Sequence, residues 1–268
     1  MMKTEERLQV LGLGFDPVTR GQALEALHSF LDGPNFHLVV TLGTEMVMHG
    51  QQDREFVEVS NGAALVVPDG IGLVLAGRWC GFAVPQKVAG VEIVQEMAQS
   101  LGPRLRVFLL GAAPGVAEEA ASALRAMSPG LQIAGVRDGF FKDDEETVQQ
   151  IASSNANVLL VALGFPRQEK WLAKFGPRTG VKIGIGVGGT FDVLSGRIKR
   201  APSWMISLGL EWLYRLSKQP SRWRRMLVLP SFALKVIRRG RKAVHAFVSG
   251  PTAAQLEVAT VSTGENPS

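Results

Sequence analysis

The chain has 268 residues, 46% of them hydrophobic, a single cysteine (Cys80) and a formal net charge of +5. That is apolar material enough for a sizeable core, and one cysteine excludes an internal disulfide framework, so Cys80 reads as a buried thiol in a reducing compartment. The start MMKTEERLQV lacks the apolar stretch of a signal peptide, and no run reaches the roughly 18 apolar residues of a membrane span, so the expected protein is soluble or peripheral.

Arg7 to Leu13 reads as a first strand, closed by Gly12 and Gly14. Thr19 and Gln22 have the spacing of a capping box, which predicts a helix to about Leu31. Phe36 to Thr41 is the next strand, running into Leu42, Gly43 and Thr44. A helix follows from Glu45 to Gly62 with a break near Gly50. Ala64 to Pro68 is a short apolar strand ending in Asp69-Gly70, and Ile71 to Trp79 is helical. Pro68 and Gly70 pin the backbone around Asp69, whose carboxylate either serves a strand-end site or caps the following helix.

Lys87, Gly90 and Glu92 lead into a helix over Val91 to Ser100. Leu105 to Leu110 is a strand ending in Gly111, followed by a helix from Pro114 with an apolar stripe of Val116, Ala120, Ala123, Leu124 and Met127. Gln132 to Val136 is a strand that ends in Arg137-Asp138-Gly139. A helix then starts over Lys142 to Glu146, where Asp143 and Asp144 read as capping residues.

The stretch from Val158 to Trp204 is the most informative. Six consecutive apolar residues, Val158 to Leu163, predict a strand buried on both faces, hence a parallel sheet covered by helices. The strand ends in Gly164, Pro166, Arg167, Gln168 and Glu169. A second one, Ile183 to Val187, ends in Gly186, Gly188, Gly189 and Asp192. Open α/β sheets bind ligands beyond the carboxyl ends of their strands, so these polar strand ends, with Thr41 and Asp69, point to one site.

Strands alternating with helices predict an α/β fold, a Rossmann-like parallel-sheet domain over residues 1–195. From Arg197 to Lys242 stand thirteen Lys or Arg and one acid, Glu211, whereas the remainder is acidic. This basic, tryptophan-bearing stretch predicts a helical appendage over 196–249 that meets an anionic surface, either membrane or nucleic acid. No nucleic-acid motif is present. The polar residues from 250 to 268 predict a disordered tail.

Gly184-Ile-Gly-Val-Gly-Gly189 has the look of a dinucleotide fingerprint, but its spacing and the missing ribose-binding acid argue against a nicotinamide oxidoreductase. Such glycines still suit close approach to a phosphate. The four histidines are scattered, no metal spacing is seen and no Ser-His-Asp or Cys-His arrangement stands out.

Thr41, Pro68-Asp69-Gly70, Gly111, Asp138-Gly139-Phe140, Gly164 to Glu169, Gly186 to Gly189, Arg200-Ala-Pro202, Glu211 to Arg215 and Pro220 to Arg225 together resemble the WecG/TagA/CpsF glycosyltransferase family. The resemblance implies an inverting, metal-independent enzyme without cofactor. It would move N-acetylmannosamine or a related sugar from a UDP-sugar to a polyprenyl-diphosphate-linked sugar in teichoic acid or surface polysaccharide synthesis. It would do so as a peripheral protein on the cytoplasmic face of the membrane. Glucosyl or glucuronosyl donors stay open, as does self-association of the chain.

Carried onto this sequence, the resemblance makes Asp69 the general base. Thr41, Gly43, Lys87, Gly111, Asp138, Gly164, Pro166, Gln168, Glu169, Gly186 and Gly188 become substrate-binding residues, and Arg215, Arg222 and Arg225 become stabilisers of the leaving UDP. Three positions depart from the family pattern: Gly43 stands where an asparagine is common, and Lys87 and Glu92 where an arginine and an aspartate are.

Overall fold

The computed structural model describes residues 7–207, 209–218, 223 and 227–247, without the side chains of Ser203, Ser207 and Arg215. The predicted tail from 250 and the arginines Arg222 and Arg225 lie outside these residues.

Six apolar segments become the strands of one parallel sheet: β3 (His37–Leu42), β4 (Leu65–Pro68), β5 (Arg106–Gly111), β6 (Gln132–Arg137), β7 (Val158–Ala162) and β8 (Ile183–Gly186). Their order is β4-β3-β8-β7-β5-β6 and every pairing is parallel. β7 is buried at all five positions, as its unbroken apolar run predicted. Alternate side chains along it enter two cores: Leu159 and Val161 face one, Val158 and Leu160 the other.

Helices cover both faces, giving the Rossmann-like α/β architecture expected. On one face lie α2 (Thr44–His49), α3 (Arg54–Asn61), α4 (Ile71–Trp79), α7 (Asp144–Ser153) and α8 (Arg167–Phe175). They bury Val47, Phe56, Leu73, Ile151 and Leu172. On the other lie α1 (Arg20–Asp32), α5 (Gly90–Leu101), α6 (Val116–Met127) and α9 (Thr190–Leu194), burying Leu27, Ile93, Leu124 and Phe191. Local chemistry sets several boundaries. Thr19 and Gln22 form the capping box at the start of α1, Gly50 ends α2, and Asp143 caps α7 through the N–H groups of Glu145 and Glu146.

The first strand departs from the expectation. Leu11 and Gly12 adopt positive φ values of 49° and 94°, so the segment folds into a hairpin of β1 (Arg7–Val10) and β2 (Leu13–Phe15). These strands stay out of the parallel sheet. β1 pairs antiparallel with β2 and with β9 (Val244–Phe247), from the far end of the described chain. Buried Arg7 fastens the hairpin, donating to Asp16 at 2.8 Å and to the Asn61 and Ala63 carbonyls.

After α9 come α10 (Ser203–Ser207), α11 (Glu211–Lys218) and α12 (Val228–Arg239). α12 packs against α2 and α4 and buries Phe232 and Val236. The described parts of the basic stretch thus include these helices before β9 joins the small sheet.

β3 and β8 are neighbours whose following helices leave to opposite faces, α2 to one and α9 to the other. That divergence opens a crevice at their carboxyl ends.

Candidate active site

A cleft of about 300 Å³ occupies this crevice, the low end of the range for small-molecule sites. Thr41, Gly43 and Thr44 come from the end of β3, Asp69 to Gly72 from the end of β4, Lys87 and Ala89 from the approach to α5, Phe165 and Gln168 from the turn into α8, and Val187 to Thr190 from the end of β8. Gly209, Glu211, Trp212 and Leu229 close one side from the helices of the basic stretch.

Asp69 sits half-buried on this wall. Its backbone N–H donates to Leu42 O at 2.9 Å, which extends the β3–β4 pairing by one rung. It does not cap α4: the N-cap there is Gly70, with no side-chain hydrogen bond. Instead Oδ2 accepts from the N–H of Gly90, the first residue of α5, at 3.0 Å. A helix N-terminus favours negative charge at that point. Gly90 also lets the start of α5 lie against the end of β3, since a Cβ there would stand 3.0 Å from Thr41 Cγ2.

Thr41 Oγ1 donates to the Gly186 carbonyl at 2.9 Å, tying the ends of β3 and β8 together. Gly43 leaves open space, because a Cβ at that position meets nothing within 4 Å. Lys87 pairs with Glu211 at 2.7 Å, with side chains only 17% and 13% exposed, and so links the cleft wall to α11. Glu92 points elsewhere and accepts from Arg20 at 3.0 Å and from Arg200.

Gln168 and Glu169 are both buried. Gln168 lines the cleft; its Oε1 accepts from the Gly188 N–H at 3.1 Å and its Nε2 donates to Glu169 Oε1 at 2.8 Å. Glu169 does not reach the cleft. Burial pushes its carboxyl from 4.5 up to about 7. Gly186 faces this pair, where a Cβ would stand 2.8 Å from Gln168 Nε2 and 3.0 Å from Glu169 Oε1. Its role is thus to admit α8, while Gly188 lies at the cleft.

Among the described residues, Gly111, Asp138, Gly164 and Pro166 do not line the cleft. Gly111, with φ of 121°, passes so close to β7 that a Cβ would lie 2.5 Å from the Ala162 carbonyl carbon. Asp138 accepts from Phe140 N–H at 2.8 Å in an exposed turn. Gly164 accepts from Gln168 N–H at 3.0 Å and Pro166 is the N-cap of α8, so both shape the turn that delivers Gln168. Of Arg215 only its place in α11 is described.

Thr44 and Glu211 also line the cleft but were not among the expected site residues. Thr44 follows directly on the polar end of β3, and a Cβ at Gly72 would stand 2.7 Å from its Oγ1. Glu211 is the lone acid of the basic stretch, and that isolation was its signal. Among the described residues no group of three or more His, Cys, Asp or Glu side chains is placed to hold a metal ion.

Known proteins share this chain's pattern along most of its length. A protein of Bacillus subtilis (strain 168), N-acetylglucosaminyldiphosphoundecaprenol N-acetyl-beta-D-mannosaminyltransferase, is 37% identical over 75% of this chain and 79% of its own. Proteins of the same name are 34% identical in Bacillus spizizenii, over 83% and 87%, and 30% identical in Staphylococcus aureus (strain MRSA252), over 91% and 100%. Residues 8–245 match the Glycosyl transferase WecG/TagA/CpsF family, and with these likenesses over a parallel sheet that opens a cleft at β3 and β8, the chain belongs to that family and is a glycosyltransferase.

Proposed function

We propose that the chain transfers N-acetylmannosamine, or a closely related sugar, to N-acetylglucosamine carried on a polyprenyl diphosphate, the sugar and acceptor that the names of its relatives give for them, and that the donor is a UDP-sugar. The observation that carries the mechanism is Asp69, a carboxylate at the cleft wall held by the first N–H of α5. It takes the proton of the attacking acceptor hydroxyl. The acceptor oxygen then bonds to the anomeric carbon from the face opposite the UDP oxygen, which leaves with its electron pair, so the configuration inverts.

Thr41, Gln168 and the Gly188 loop form the wall against which the sugar nucleotide lies, and Lys87 carries positive charge beside it. Arg215, Arg222 and Arg225 stabilise the departing diphosphate in this reading, a task that suits paired guanidinium donors. Gly43 leaves room beside the cleft where an asparagine is common, so the choice of sugar is the part most open to difference.

A lipid-linked acceptor requires the protein at a membrane surface, and α12 has features that support such a place. Its stripe of Phe232 and Val236 is buried, while a second stripe of Leu227, Pro230, Leu234 and Ile237 is exposed, beside Lys235, Arg238 and Arg239. Apolar residues flanked by cations suit a helix lying in an anionic interface. Among the described residues no helix is long and apolar enough to cross a membrane.

The test is UDP release by the purified protein with a lipid-diphosphate N-acetylglucosamine acceptor and a panel of UDP-N-acetylmannosamine, UDP-N-acetylglucosamine, UDP-glucose and UDP-glucuronate. Release that depends on acceptor and is fastest with UDP-N-acetylmannosamine is expected. A faster glucose or glucuronate donor would correct the sugar. No release together with no UDP binding would overturn the reading.

A further inference from the structure

Glu169 is a carboxyl in an unfavourable place. It is fully buried, and its Oε2 has no hydrogen-bond partner among the described residues. Desolvating such a group costs stability, and a leucine or glutamine of similar size would fit the same helix face at lower cost. The surroundings nevertheless accommodate it: Gly186 lacks the side chain that would collide with the Gln168–Glu169 pair.

Its hydrogen bond from the Gln168 side chain explains its presence. The Gly188 backbone N–H can only donate, so the atom of Gln168 that faces it at 3.1 Å must be the amide oxygen. The amide nitrogen is then turned to Glu169 Oε1, 2.8 Å away, an oxygen that accepts. The two contacts together fix which end of the carboxamide faces which neighbour, and they run from the sealed side of α8 to a loop that lines the cleft. We propose that Glu169 is a positioning residue of the transfer reaction: it sets the orientation of the Gln168 carboxamide and through it braces the Gly188 loop against the sugar nucleotide. This rests on the cleft being the site of transfer.

Burial gives the proposal a signature near neutral pH, where the carboxyl changes charge and hence its strength as an acceptor. No other charge contributes to its displacement. Of the charged groups on neighbouring elements, Asp53 and Glu55 beside α3 are held by Lys170, and Glu145 of α7 by Arg178 on the turn after α8.

The experiment compares the wild type with Glu169→Leu and Glu169→Gln in three readouts. These are donor KM and kcat, melting temperature, and the side-chain amide NMR signals of Gln168, assigned by their loss in Gln168→Met, followed through pH 7. Glu169→Leu should raise the donor KM roughly tenfold, the scale of one lost hydrogen bond of about 1.4 kcal/mol, with a melting temperature no lower than the wild type's. Glu169→Gln keeps an acceptor and should recover most of that loss. The Gln168 signals should titrate with a midpoint near 7 in the wild type and not in Glu169→Gln.

An unchanged KM in Glu169→Leu would overturn the proposal. So would a loss of KM and melting temperature together that glutamine does not rescue, which is the behaviour of a residue that only packs. If the wild type turned over no donor, the transfer reading would fail first, and Gln168 signals indifferent to pH and to residue 169 would separately dismiss the positioning role.

Discussion

Two carboxyl groups stand at two strand ends of the same sheet, and their surroundings divide the site into a wet and a dry half. At β4, Asp69 is half-exposed, faces the cleft and rests on the N-terminus of α5. In α8, past the end of β7, Glu169 is sealed from water, one oxygen held by Gln168 and the other without a partner among the described residues. The sequence around each is similar, an acid just past an apolar strand. What separates them is the geometry after the strand. The chain past β4 turns outward through Pro68 and Gly70, whereas the chain past β7 places Glu169 on the inner face of α8 against Gly186. The lesson is that an acid past a strand acquires its chemistry from where the chain then carries it: Asp69 stays at the cleft, whereas α8 takes Glu169 inside.

The dry carboxyl predicts a dependence of stability on pH, and this is the largest expected effect. Between about pH 4.5 and 7 the folded protein keeps the Glu169 proton while the unfolded chain releases it. The folded state therefore binds more protons in that window, and stability falls as pH rises through it. At about 1.4 kcal/mol per pH unit the contribution is about 3 kcal/mol. Urea unfolding of wild type and Glu169→Gln should diverge by that amount from low pH to pH 8, with the variant the more stable at pH 8. Parallel curves would show that the carboxyl is not dry.

Gly186→Ala should break the dry half next. Its methyl would meet Gln168 Nε2 and Glu169 Oε1 at 2.8 and 3.0 Å, and overpacking of this kind costs about 1–3 kcal/mol. Denaturant midpoints measure the loss, and UDP affinity should weaken with it as Gln168 shifts at the cleft. The smallest effect is at the seam between the halves. Thr41→Val removes the hydroxyl that donates to Gly186 O and should cost about 1 kcal/mol in the same unfolding measurement.

Much of the wet half was legible in the sequence. Thr41 and Asp69 follow apolar runs directly, and Gln168 follows one after a short turn, so a parallel sheet had to bring them to one edge. The capping box at Thr19 and the break at Gly50 were equally local and equally readable. The small sheet was not, because β1 takes β9 as a partner more than 230 residues away and no local pattern announces so distant a pairing. The glycines from 184 to 189 were read together as suited to close approach of a phosphate, yet they serve two purposes. Gly184 and Gly186 alternate with Ile183 and Ile185 along β8 and turn toward α8, while Gly188 and Gly189 reach the cleft. That alternation of two was present in the sequence and is the signal that distinguishes them. Gly111 and Asp138 lie toward β5 and β6, at the other side of the sheet, where the first keeps two strand ends close and the second closes a turn.

Asp69 is the proposed base, and the most direct measurement is acceptor-dependent UDP release by Asp69→Asn beside the wild type, at saturating donor and acceptor. The substitution keeps size and an oxygen to accept from Gly90 but cannot take a proton at neutral pH. A fall in kcat of about 10²–10⁴, with UDP binding and melting temperature near the wild-type values, is the predicted result. A variant that kept more than about a tenth of the wild-type rate would contradict it, and would move the base to another residue of the cleft.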